Sequence, residues 1–364
     1  MVSPINLKSV NITSHMERLK PEIDKIIEKY LPKKVTHEWL EFTFGKPRYK
    51  YNIEASQKAL LDPIRDFLDR GGKRWRPVLF LLIAEAVGGD IEKLKEFVVI
   101  PEIIHNGTIM IDDVEDMGEL RRGKPCTHKI YGEDIAINAG NFMYYDPLLA
   151  FAKNRDMFEP EILIRAYEVY VQEMVNLSFG QASDIYWHKG KIRITEEEYM
   201  QMCAYKTGCL SRLSAKLAVI LSGGNDEFVD KIGKVAETIG VAFQIQDDIL
   251  DIDLKGEDRE KFGKIFGNDI KEGKRTLMVI HTLENASEED KKRLTEILDK
   301  HTDDMGEREE AISIIRKYGS IEYSKKRAKE IVESTWKEVE PLLEENKAKD
   351  LLKEFVYYLI ERDV

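Results

Sequence analysis

The sequence predicts an all-α fold, and two observations lead to this prediction. Apolar residues recur at helical spacing along most of the 364-residue chain, whereas runs that alternate apolar and polar residues are scarce. Glycines interrupt the helical pattern at intervals that suit helix ends. The clearest helical runs are Pro21–Leu31, Val78–Val87, Ile162–Leu177, Phe228–Ile252 and Ile312–Val339.

The breaks between these runs are short. They lie at Gly71-Gly72, Gly88-Gly89, Gly223-Gly224 and Gly319, and none belongs to a stretch rich in proline or serine. Short breaks of this kind are typical of turns between packed helices rather than of linkers between domains. We therefore predict a single all-α domain over residues 1–364, in which residues 1–48 form an N-terminal segment of unclear role.

Composition limits the class of protein. Apolar residues make up 43% of the chain and charged residues 34%, which predicts a folded core with a solvated surface. No run approaches the roughly 18 apolar residues of a membrane span, and the first residues lack the apolar core of a signal peptide, so we expect a cytoplasmic protein. A net charge of −11 argues against nucleic acid as a partner. The three cysteines have neither metal-ligand spacing nor an even number that would suit disulfides.

Two acidic clusters share the pattern DDxxD, one at Asp112–Asp116 and one at Asp247–Asp251. On a helix the first and last carboxylates of this pattern face the same way, roughly 6 Å apart. Such like charges repel, and a hard divalent cation between them offsets the repulsion. Mg²⁺ suits this position because it prefers oxygen ligands and leaves room for phosphate oxygens and water.

An isolated acidic cluster is more often a solvated helix face than a metal site. Here each cluster follows an apolar run, at residues 98–111 and 239–245, so the carboxylates are expected at the end of a largely buried helix. Two clusters in the same setting predict two facing carboxylate groups that hold one diphosphate through metal ions.

Two basic segments accompany the acidic clusters. Gly71–Pro77 places cations on a turn before an apolar helix, and Glu119–Pro125 follows the first acidic cluster directly. Either segment alone is more often an ordinary surface loop. Beside metal-binding carboxylates, however, these cations predict a cradle for a second diphosphate.

These segments, in this order, resemble the trans-isoprenyl diphosphate synthase family. The resemblance covers about Gly71 to Lys274 and includes both aspartate motifs, the Arg-Arg-Gly that follows the first, and Lys206-Thr207-Gly208. Three further strings look most like geranylgeranyl diphosphate synthases: Ile111–Asp116, Asn138–Tyr145 and Gly180–Trp187. Lys317–Glu322 resembles archaeal relatives.

The resemblance implies the isoprenoid synthase fold, an antiparallel helical bundle around a deep apolar cavity with the two aspartate motifs facing each other across its mouth. It also implies a homodimer, and two or three Mg²⁺ ions that bind together with an allylic diphosphate. The implied metal-binding residues are Asp112, Asp113, Asp116, Asp247, Asp248 and Asp251, with Asp269 helping to hold the waters of the ions.

The family's reaction is the head-to-tail addition of isopentenyl diphosphate to an allylic diphosphate, and the resemblance implies two diphosphate sites. The residues implied to grip the allylic diphosphate are Arg121, Lys206 and Lys264. Those implied to bind isopentenyl diphosphate are Lys73, Arg76, His105 and Arg122. Lys206, Thr207 and Gln244 are the implied catalytic residues, and the last two stabilise a carbocation by their dipoles.

Three of the aromatic and histidine side chains have simpler explanations. A single histidine on an apolar helix, such as His105, is more often a satisfied core residue, and only its position in the family's pattern assigns it to a substrate. Trp75 and Trp187 are expected to pack in the core rather than to stack on a ligand.

Product length depends on what closes the cavity. Gly107 and Thr108, a turn before Asp112, are small and predict an open upper cavity. Tyr144 and Tyr145 match the bulky pair that closes the cavity in eukaryote-type geranylgeranyl synthases, so we predict a C20 product. If these tyrosines instead pack between helices and face away from the cavity, a product of C25 or longer is the alternative.

Three other functions share part of this pattern. A longer-chain polyprenyl diphosphate synthase would use the same chemistry, and product length separates it from a C20 enzyme. A terpene cyclase would not need the basic set for isopentenyl diphosphate. A non-catalytic regulatory subunit of a heteromeric prenyl synthase would tend to lose the aspartates or cations that this chain retains.

Overall fold

The computed structural model describes residues 11–188, 193–254 and 266–361. Helices dominate these ranges, which confirms the all-α prediction. In chain order the α-helices are α1 (Ile12–Tyr30), α2 (His37–Phe44), α3 (Ile53–Ser56), α4 (Asp62–Asp69), α5 (Trp75–Ala86), α6 (Ile91–Leu94), α7 (Val99–Glu115), α8 (Thr127–Tyr131), α9 (Glu133–Tyr145), α10 (Leu149–Lys153), α11 (Pro160–His188), α12 (Glu196–Cys203), α13 (Cys209–Leu221), α14 (Asp226–Asp253), α15 (Asn268–Glu272), α16 (Leu277–Asn285), α17 (Glu288–Lys300), α18 (Met305–Lys317), α19 (Ser320–Val339) and α20 (Lys347–Glu361).

Shorter elements connect or interrupt these helices. Two π-helical turns lie at Gln57–Leu61 and Ala204–Gly208. Four 3₁₀ turns lie at Lys95–Val98, Asp146–Leu148, Arg155–Met157 and Glu340–Leu342. The two-residue strands β1 (Leu120–Arg121) and β2 (Lys124–Pro125) pair antiparallel.

Glycines with positive φ and capping side chains mark the ends of several helices. Gly71, Gly88, Gly223 and Gly319, which were predicted as breaks, all have positive φ and lie between helices. The amide oxygen of Asn225 accepts the Phe228 N–H at 2.9 Å and thereby caps the start of α14.

The centre of the bundle is α13, which is almost wholly buried and contacts α5, α11 and α14. A buried ion pair ties three of these helices together. Arg212 on α13 donates to Glu173 on α11 at 2.7 Å and also pairs with Glu237 on α14. Removing one member of such a buried pair leaves an uncompensated charge, at a cost of about 3–5 kcal/mol.

Residues 12–30, whose role the sequence left unclear, form a helix that packs on the bundle. Helix α1 contacts α5, α7 and α20. The Ile12 N–H donates to Glu354 at 3.1 Å, and Asp24 accepts from Arg74 at 2.7 Å. The N-terminal helix therefore supports the basic turn before α5.

Two glycines let α11 and α14 approach the π-helical turn Ala204–Gly208 from either side. A Cβ atom on Gly180 of α11 would lie 2.3 Å from the backbone nitrogen of Lys206. A Cβ atom on Gly240 of α14 would lie 2.6 Å from the Gly208 Cα. Neither distance leaves room for a side chain. Because π-helical turns often mark functional sites, the close fit matters for the placement of Lys206 and Thr207.

Replacing Gly180 by alanine is expected to destabilise the protein by about 1–3 kcal/mol, because the new methyl group collides with backbone rather than with a flexible side chain. Chemical denaturation measures the change. Glu168→Ala, an exposed alanine substitution on the same helix, serves as control and should leave stability within about 0.5 kcal/mol. Equal stabilities of the two variants would contradict the proposed close contact.

Two sequence predictions concern what is absent. In the described ranges, no helix is both long and apolar enough to cross a membrane. Cys126, Cys203 and Cys209 are buried and free of disulfide bonds.

Candidate active site

A cavity of about 1090 Å³ opens between α7, α9, α11, α14 and the π-helical turn. Side chains from both aspartate motifs line it. Asp112, Asp113 and Asp116 reach it from the C-terminal end of α7, and Asp247 reaches it from the last turns of α14. The two motifs, well apart in the sequence, thus meet at one cavity.

The first motif is surrounded by cations. Asp112 Oδ1 accepts from Lys206 Nζ at 3.0 Å, and Asp113 Oδ1 accepts from Arg121 Nη2 at 2.6 Å. Asp112 Oδ1 also accepts from the side-chain amide of Gln181 at 2.8 Å. The substrate-side carboxylates are therefore held in place by charge-assisted hydrogen bonds.

The titration of these carboxylates reflects their crowding. Burial acts to raise the pKa of Asp112, but the charges of Lys206 and Lys274 outweigh it and hold this pKa below its usual range. Burial and the charge of Asp112 together raise the pKa of Asp116. A divalent cation beside this group would offset the repulsion between Asp112 and Asp116.

Buried oxygens in the first motif suit a metal ion. Among the described residues, Asp113 Oδ2 and Asp116 Oδ1 are buried without a hydrogen-bond partner. No three His, Cys, Asp or Glu side chains of these ranges are already gathered at the distances of a complete metal site. Mg²⁺ commonly takes one or two carboxylates and completes its shell with phosphate oxygens and water.

The three aspartates of the second motif do not all line the cavity. Asp247 lines the cavity, whereas Asp248 and Asp251 are not among the described residues that line it. Asp248 is buried and accepts from Tyr199 Oη and from Gln244 Nε2, each at 2.7 Å. Burial, with the charge of Asp269, raises the pKa of Asp248. Its two hydrogen-bond donors, the Tyr199 hydroxyl and the Gln244 amide, are both uncharged.

Asp251 holds the chain that follows the second motif. Its carboxylate accepts the backbone N–H groups of Asn268 at 3.2 Å and Asp269 at 3.0 Å, at the start of α15. Asp251 thereby fixes the position of Asp269, which lines the cavity.

Thr207 and Gln244 form one hydrogen-bonded pair at the cavity wall. Thr207 Oγ1 donates to Gln244 Oε1 at 2.8 Å, and Gln244 in turn donates to Asp248. Because Asp248 fixes the amide nitrogen of Gln244, the amide oxygen is directed toward Thr207. Both residues line the cavity, so their oxygen dipoles are available to a bound substrate.

Two lysines lie among the carboxylates. Lys206 Nζ lies 2.5 Å from Asp184 Oδ2, and Lys274 Nζ lies 2.6 Å from Glu272 and 3.4 Å from Asp269. Burial acts to lower the pKa of Lys206, but Asp112 and Asp184 outweigh it and keep the lysine charged. Lys264, which the family resemblance implied as a further cation, lies outside the described residues.

The Arg-Arg-Gly segment forms the turn between β1 and β2. Arg122 and Gly123 both have positive φ, at 52° and 72°, as the two central residues of a type I′ turn require. The turn sends Arg121 to Asp113 and Arg122 toward Asn106, whose Oδ1 accepts from Arg122 Nη2 at 2.9 Å. The two neighbouring arginines therefore serve different parts of the cavity.

A buried hydrogen-bond network holds Arg122. Its Nη1 donates to the Gly71 carbonyl at 2.6 Å, and its guanidinium lies 4.7 Å from the centre of the Phe67 ring. Asn106 is itself fixed by Glu102, which accepts from Asn106 Nδ2 at 2.9 Å and from Arg74 at 3.0 Å. The guanidinium is thus oriented before any substrate binds.

Positive charge exceeds negative charge around His105. Arg76, His105 and Arg122 line the cavity together. Burial, followed by the charges of Arg76 and Arg122, lowers the pKa of His105 well below its usual value, so the imidazole is neutral. Burial and the charge of Arg74 lower the pKa of Arg122 to about 10, because together they outweigh the negative charge of Glu102, which acts to raise it. Such crowded cations gain stability when an anion binds.

Lys73 lies apart from these groups. Its side chain is exposed, its Nζ lies 3.4 Å from Tyr358 Oη on α20, and it is not among the described residues that line the cavity. Trp75 packs on Phe243 with ring centres 5.1 Å apart, and Trp187 packs against the core, as expected of structural aromatic residues.

The residues predicted to set the cavity's depth lie on its wall. Thr108, Tyr144 and Tyr145 all line the cavity. Gly107 is small for another reason: a Cβ there would lie 2.8 Å from Met143 Cβ, so the glycine permits contact between α7 and α9. Gly107 therefore has a role in helix packing, and its role in leaving the upper cavity open stays a prediction.

Several site residues were not identified from the sequence. Gln181, Asp184, Tyr199 and Lys274 each contact a predicted site residue, and Glu272 lies 2.6 Å from Lys274. Gln181 and Asp184 lie within Gly180–Trp187, one of the strings that carried the family resemblance, so a signal was present for these two.

Comparisons with known proteins identify the family of the chain. Residues 57–315 match the polyprenyl synthetase family model. The chain is 36% identical over 310 residues to a short chain isoprenyl diphosphate synthase of Methanothermobacter thermautotrophicus, covering 85% of this chain and 92% of that protein. It is 33% identical over 316 residues to the geranylgeranyl diphosphate synthase of Saccharolobus solfataricus, covering 86% and 94%.

A solved structure gives the same result. The geranylgeranyl pyrophosphate synthetase of Pyrococcus horikoshii matches with a TM-score of 0.82 at 33% identity, covering 96% of this chain and 98% of that one. An identity above 30% over most of both chains, together with the matching fold, makes the relationship clear. The chain belongs to the polyprenyl synthetase family.

Proposed function

We propose that this protein adds isopentenyl diphosphate head to tail to an allylic diphosphate and releases geranylgeranyl diphosphate (C20). Family membership makes the chain a trans-prenyltransferase. One observation supports the specific reaction most strongly: a single cavity carries carboxylates of both aspartate motifs, a neighbouring group of cations and an apolar wall. Relatives named geranylgeranyl diphosphate synthase support the C20 product.

The allylic diphosphate would bind at the aspartates. Asp112, Asp113, Asp116 and Asp247 would hold two or three Mg²⁺ ions, while Asp248 and Asp251 would orient Gln244 and Asp269 behind them. When bound, Mg²⁺ neutralises the charge on the diphosphate leaving group. Arg121 and Lys206 would add hydrogen bonds to the same diphosphate.

The chain's own residues would then guide the reaction. Lys206 would bind the leaving oxygens, and the oxygens of Thr207 and Gln244 would stabilise the positive charge that develops on the allylic carbon. The released diphosphate would accept the proton that the new carbocation loses. No histidine or glutamate base is required, which suits a neutral His105 that lies near several arginines.

Isopentenyl diphosphate would bind at Arg76, His105 and Arg122, with Lys73 at the edge of the site. The excess of positive charge there suits a diphosphate that binds without metal. Neutral His105 would act as a hydrogen-bond donor rather than as a cation. The site is formed before binding, because the carbonyl of Gly71 and the side chain of Asn106 already hold Arg122.

Replacing Arg122 by glutamine is expected to raise KM for isopentenyl diphosphate about tenfold or more, because one charged hydrogen-bond donor is lost, worth about 1.5–3 kcal/mol. KM for the allylic substrate should change little. Steady-state kinetics with each substrate varied in turn provide the measurement. Arg155→Gln, at an exposed position, is the control, and equal rises in both KM values would count against two separate sites.

The C20 limit is assigned to Tyr144 and Tyr145. Tyr144 is partly buried, and its ring lies close enough to meet a Cβ on Gly107 at 3.4 Å. Tyr170 Oη donates to the Tyr144 carbonyl at 2.8 Å and fixes the end of α9. The Tyr144 ring is thus held between α7 and α9 on the path that a growing product would follow.

Replacing Tyr144 by alanine is expected to shift the main product from C20 to C25 or longer, since a bulky ring is removed from the wall. Chromatography of the dephosphorylated products measures the distribution. Tyr49→Ala, an exposed aromatic position, is the control. An unchanged C20 product in the Tyr144 variant would remove this residue from the assignment.

A homodimer is part of the proposal and is supported by an uncharged face on α9 and α11. Every exposed residue of α9 between 137 and 145, and of α11 between 169 and 187, is uncharged. We call these residues the uncharged face: Ile137, Asn138, Asn141, Tyr145, Val171, Gln172, Val175, Ser178, Phe179, Ala182 and Tyr186. In a chain with 34% charged residues, such a face is typical of a protein contact. A cytoplasmic location remains a prediction.

Supplying the purified protein with Mg²⁺, labelled isopentenyl diphosphate and an allylic primer tests the proposed reaction. Label is expected in a longer allylic diphosphate, and EDTA should abolish its formation. If the protein makes no product alone but changes the product of another prenyl synthase, it is the regulatory subunit instead.

A further inference from the structure

We propose that Arg74 is a positioning residue for isopentenyl diphosphate: it touches no substrate, but it holds the guanidinium of Arg122 in the orientation that binds the diphosphate. The inference rests on the proposed function, which places this substrate at Arg76, His105 and Arg122. It extends that site to a buried arginine of the basic turn Gly71–Pro77.

Arg74 has a strained backbone and a buried side chain. Its φ is 53°, in the left-handed region that favours glycine, and its side chain is only 5% exposed. It is not among the described residues that line the cavity, whereas Arg76, two positions later, does line it. Strained residues persist only where surrounding contacts fix them, and they cluster at functional sites. The contacts of Arg74 therefore indicate what the strained turn supports.

The guanidinium of Arg74 joins three helices. Its Nε donates to Asp24 on α1 at 2.7 Å, and its Nη1 donates to Glu102 on α7 at 3.0 Å. Its Nη2 donates to the carbonyl of Leu68, in the last turn of α4, at 3.3 Å. The planar fork of an arginine directs several donors at once in fixed directions. Arg74 thus fixes the relative positions of α1, α7 and the end of α4.

Two of the groups that contact Arg74 also support Arg122. Glu102 Oε1 accepts from both Arg74 and Asn106, and Asn106 in turn accepts from Arg122. The carbonyl of Gly71 accepts from Arg122 at 2.6 Å and lies 3.5 Å from Arg74 Nη1. Without the Arg74 guanidinium, Glu102 and the Gly71 carbonyl lose a common anchor. The orientation of Arg122 is then no longer fixed before the substrate binds.

Charge gives a second reason for this role. Glu102 is 3% exposed, and its negative charge attracts Arg122. Arg74 forms an ion pair with the same carboxylate and offsets its charge. In the absence of Arg74, a buried carboxylate without its cation would compete with the diphosphate for Arg122. Arg74 therefore keeps Arg122 available to the substrate.

Arg74→Gly removes the guanidinium and suits the turn, because glycine adopts a φ of 53° without strain. It is expected to raise KM for isopentenyl diphosphate about two- to thirtyfold, the range for indirect coupling through a packed network. Steady-state kinetics should show little change in kcat or in KM for the allylic substrate. The control is Arg165→Met, which removes a guanidinium that binds Asp226 and the Gly224 carbonyl, and it should leave both KM values unchanged.

A double-mutant cycle distinguishes positioning from a general effect on stability. If Arg74 acts through Arg122, Arg74→Gly should raise KM for isopentenyl diphosphate by less than about twofold in a protein that already carries Arg122→Gln. A residue that only stabilises the fold would give the same factor in both backgrounds. Arg74→Gln is the milder change, and it provides the same comparison if Arg74→Gly does not fold.

Two results would overturn the inference. One is a wild-type KM for isopentenyl diphosphate in both Arg74 variants. The other is an equal rise in this KM with and without Arg122→Gln. Either result leaves the proposed function intact, because the wild-type enzyme still condenses its substrates. Failure of the wild-type protein to form any product would instead reject the proposed function itself.

Discussion

Replacing Asp112 or Asp247 by alanine is expected to lower kcat by about two to four orders of magnitude, because each change removes a proposed ligand of the ions that neutralise the leaving diphosphate. Each motif would keep its other carboxylates, but the charge facing the diphosphate would fall. Initial rates at saturating concentrations of both substrates and Mg²⁺ measure the effect.

The fold should survive these changes. Asp112 faces the cavity, and its partner Lys206 retains Asp184 at 2.5 Å when Asp112 is lost. Thermal unfolding of both variants should therefore stay close to that of the wild type. Asp156→Ala is the matched control, since this carboxylate is 96% exposed and remote from the cavity. Near-normal rates in the Asp112 or Asp247 variant would reject the metal-binding assignment.

Replacing Lys206 by methionine is expected to lower kcat/KM for the allylic substrate by about two to three orders of magnitude, comparable with the loss of a donor that binds developing negative charge. Lys206, together with Lys274, also holds the pKa values of Asp112 and Asp184 down. Without it, both pKa values rise and protonated forms of these carboxyls become easier to populate. KM for isopentenyl diphosphate should change little, because that substrate binds at the arginines.

The control for this variant is Lys216→Met. Lys216 lies on the next helix, α13, and pairs with Asp230 at 3.0 Å near the surface. It should behave as wild type in kinetics. If Lys206→Met retains wild-type kcat/KM for the allylic substrate, the lysine only balances the charge of Asp184 and has no part in binding.

Much of the fold could be predicted because helix formation depends on local pattern. The runs Phe228–Ile252 and Val78–Val87 match α14 and α5 within a few residues, and Gly319 separates α18 from α19 as expected. The π-helical turn Ala204–Gly208 could not be predicted. It lies where α11 and α14 both press on the chain through Gly180 and Gly240, which is a matter of tertiary packing.

In the candidate site, too, some features could be predicted from the local sequence and others depend on tertiary packing. Carboxylate spacing is visible in a sequence, so the two motifs could be predicted as one site. The spacing does not tell which members face the cavity. Asp248 is one residue beyond Asp247, a rotation of about 100° around the helix, and it lies against Tyr199 and Gln244 instead. Asp184 lies within Gly180–Trp187, which carried the family resemblance, but only the folded chain shows that it pairs with Lys206.

The N-terminal segment gave no functional signal for a related reason. Its contacts are with residues far away in the chain, such as Asp24 with Arg74 and Ile12 with Glu354. Arg74 joins the hydrogen-bond network that ends at Arg122. Residues 12–30 therefore stabilise the region proposed to bind isopentenyl diphosphate, although their sequence carries no recognisable motif.

The most direct test of the central claim is product analysis of the purified wild-type protein. It is incubated with Mg²⁺, labelled isopentenyl diphosphate and, in separate reactions, dimethylallyl, geranyl or farnesyl diphosphate. The account predicts condensation, with geranylgeranyl diphosphate as the main product. A main product of C25 or longer would keep the chemistry and move the end of the cavity away from Tyr144 and Tyr145. No condensation with any of the three primers would contradict the account.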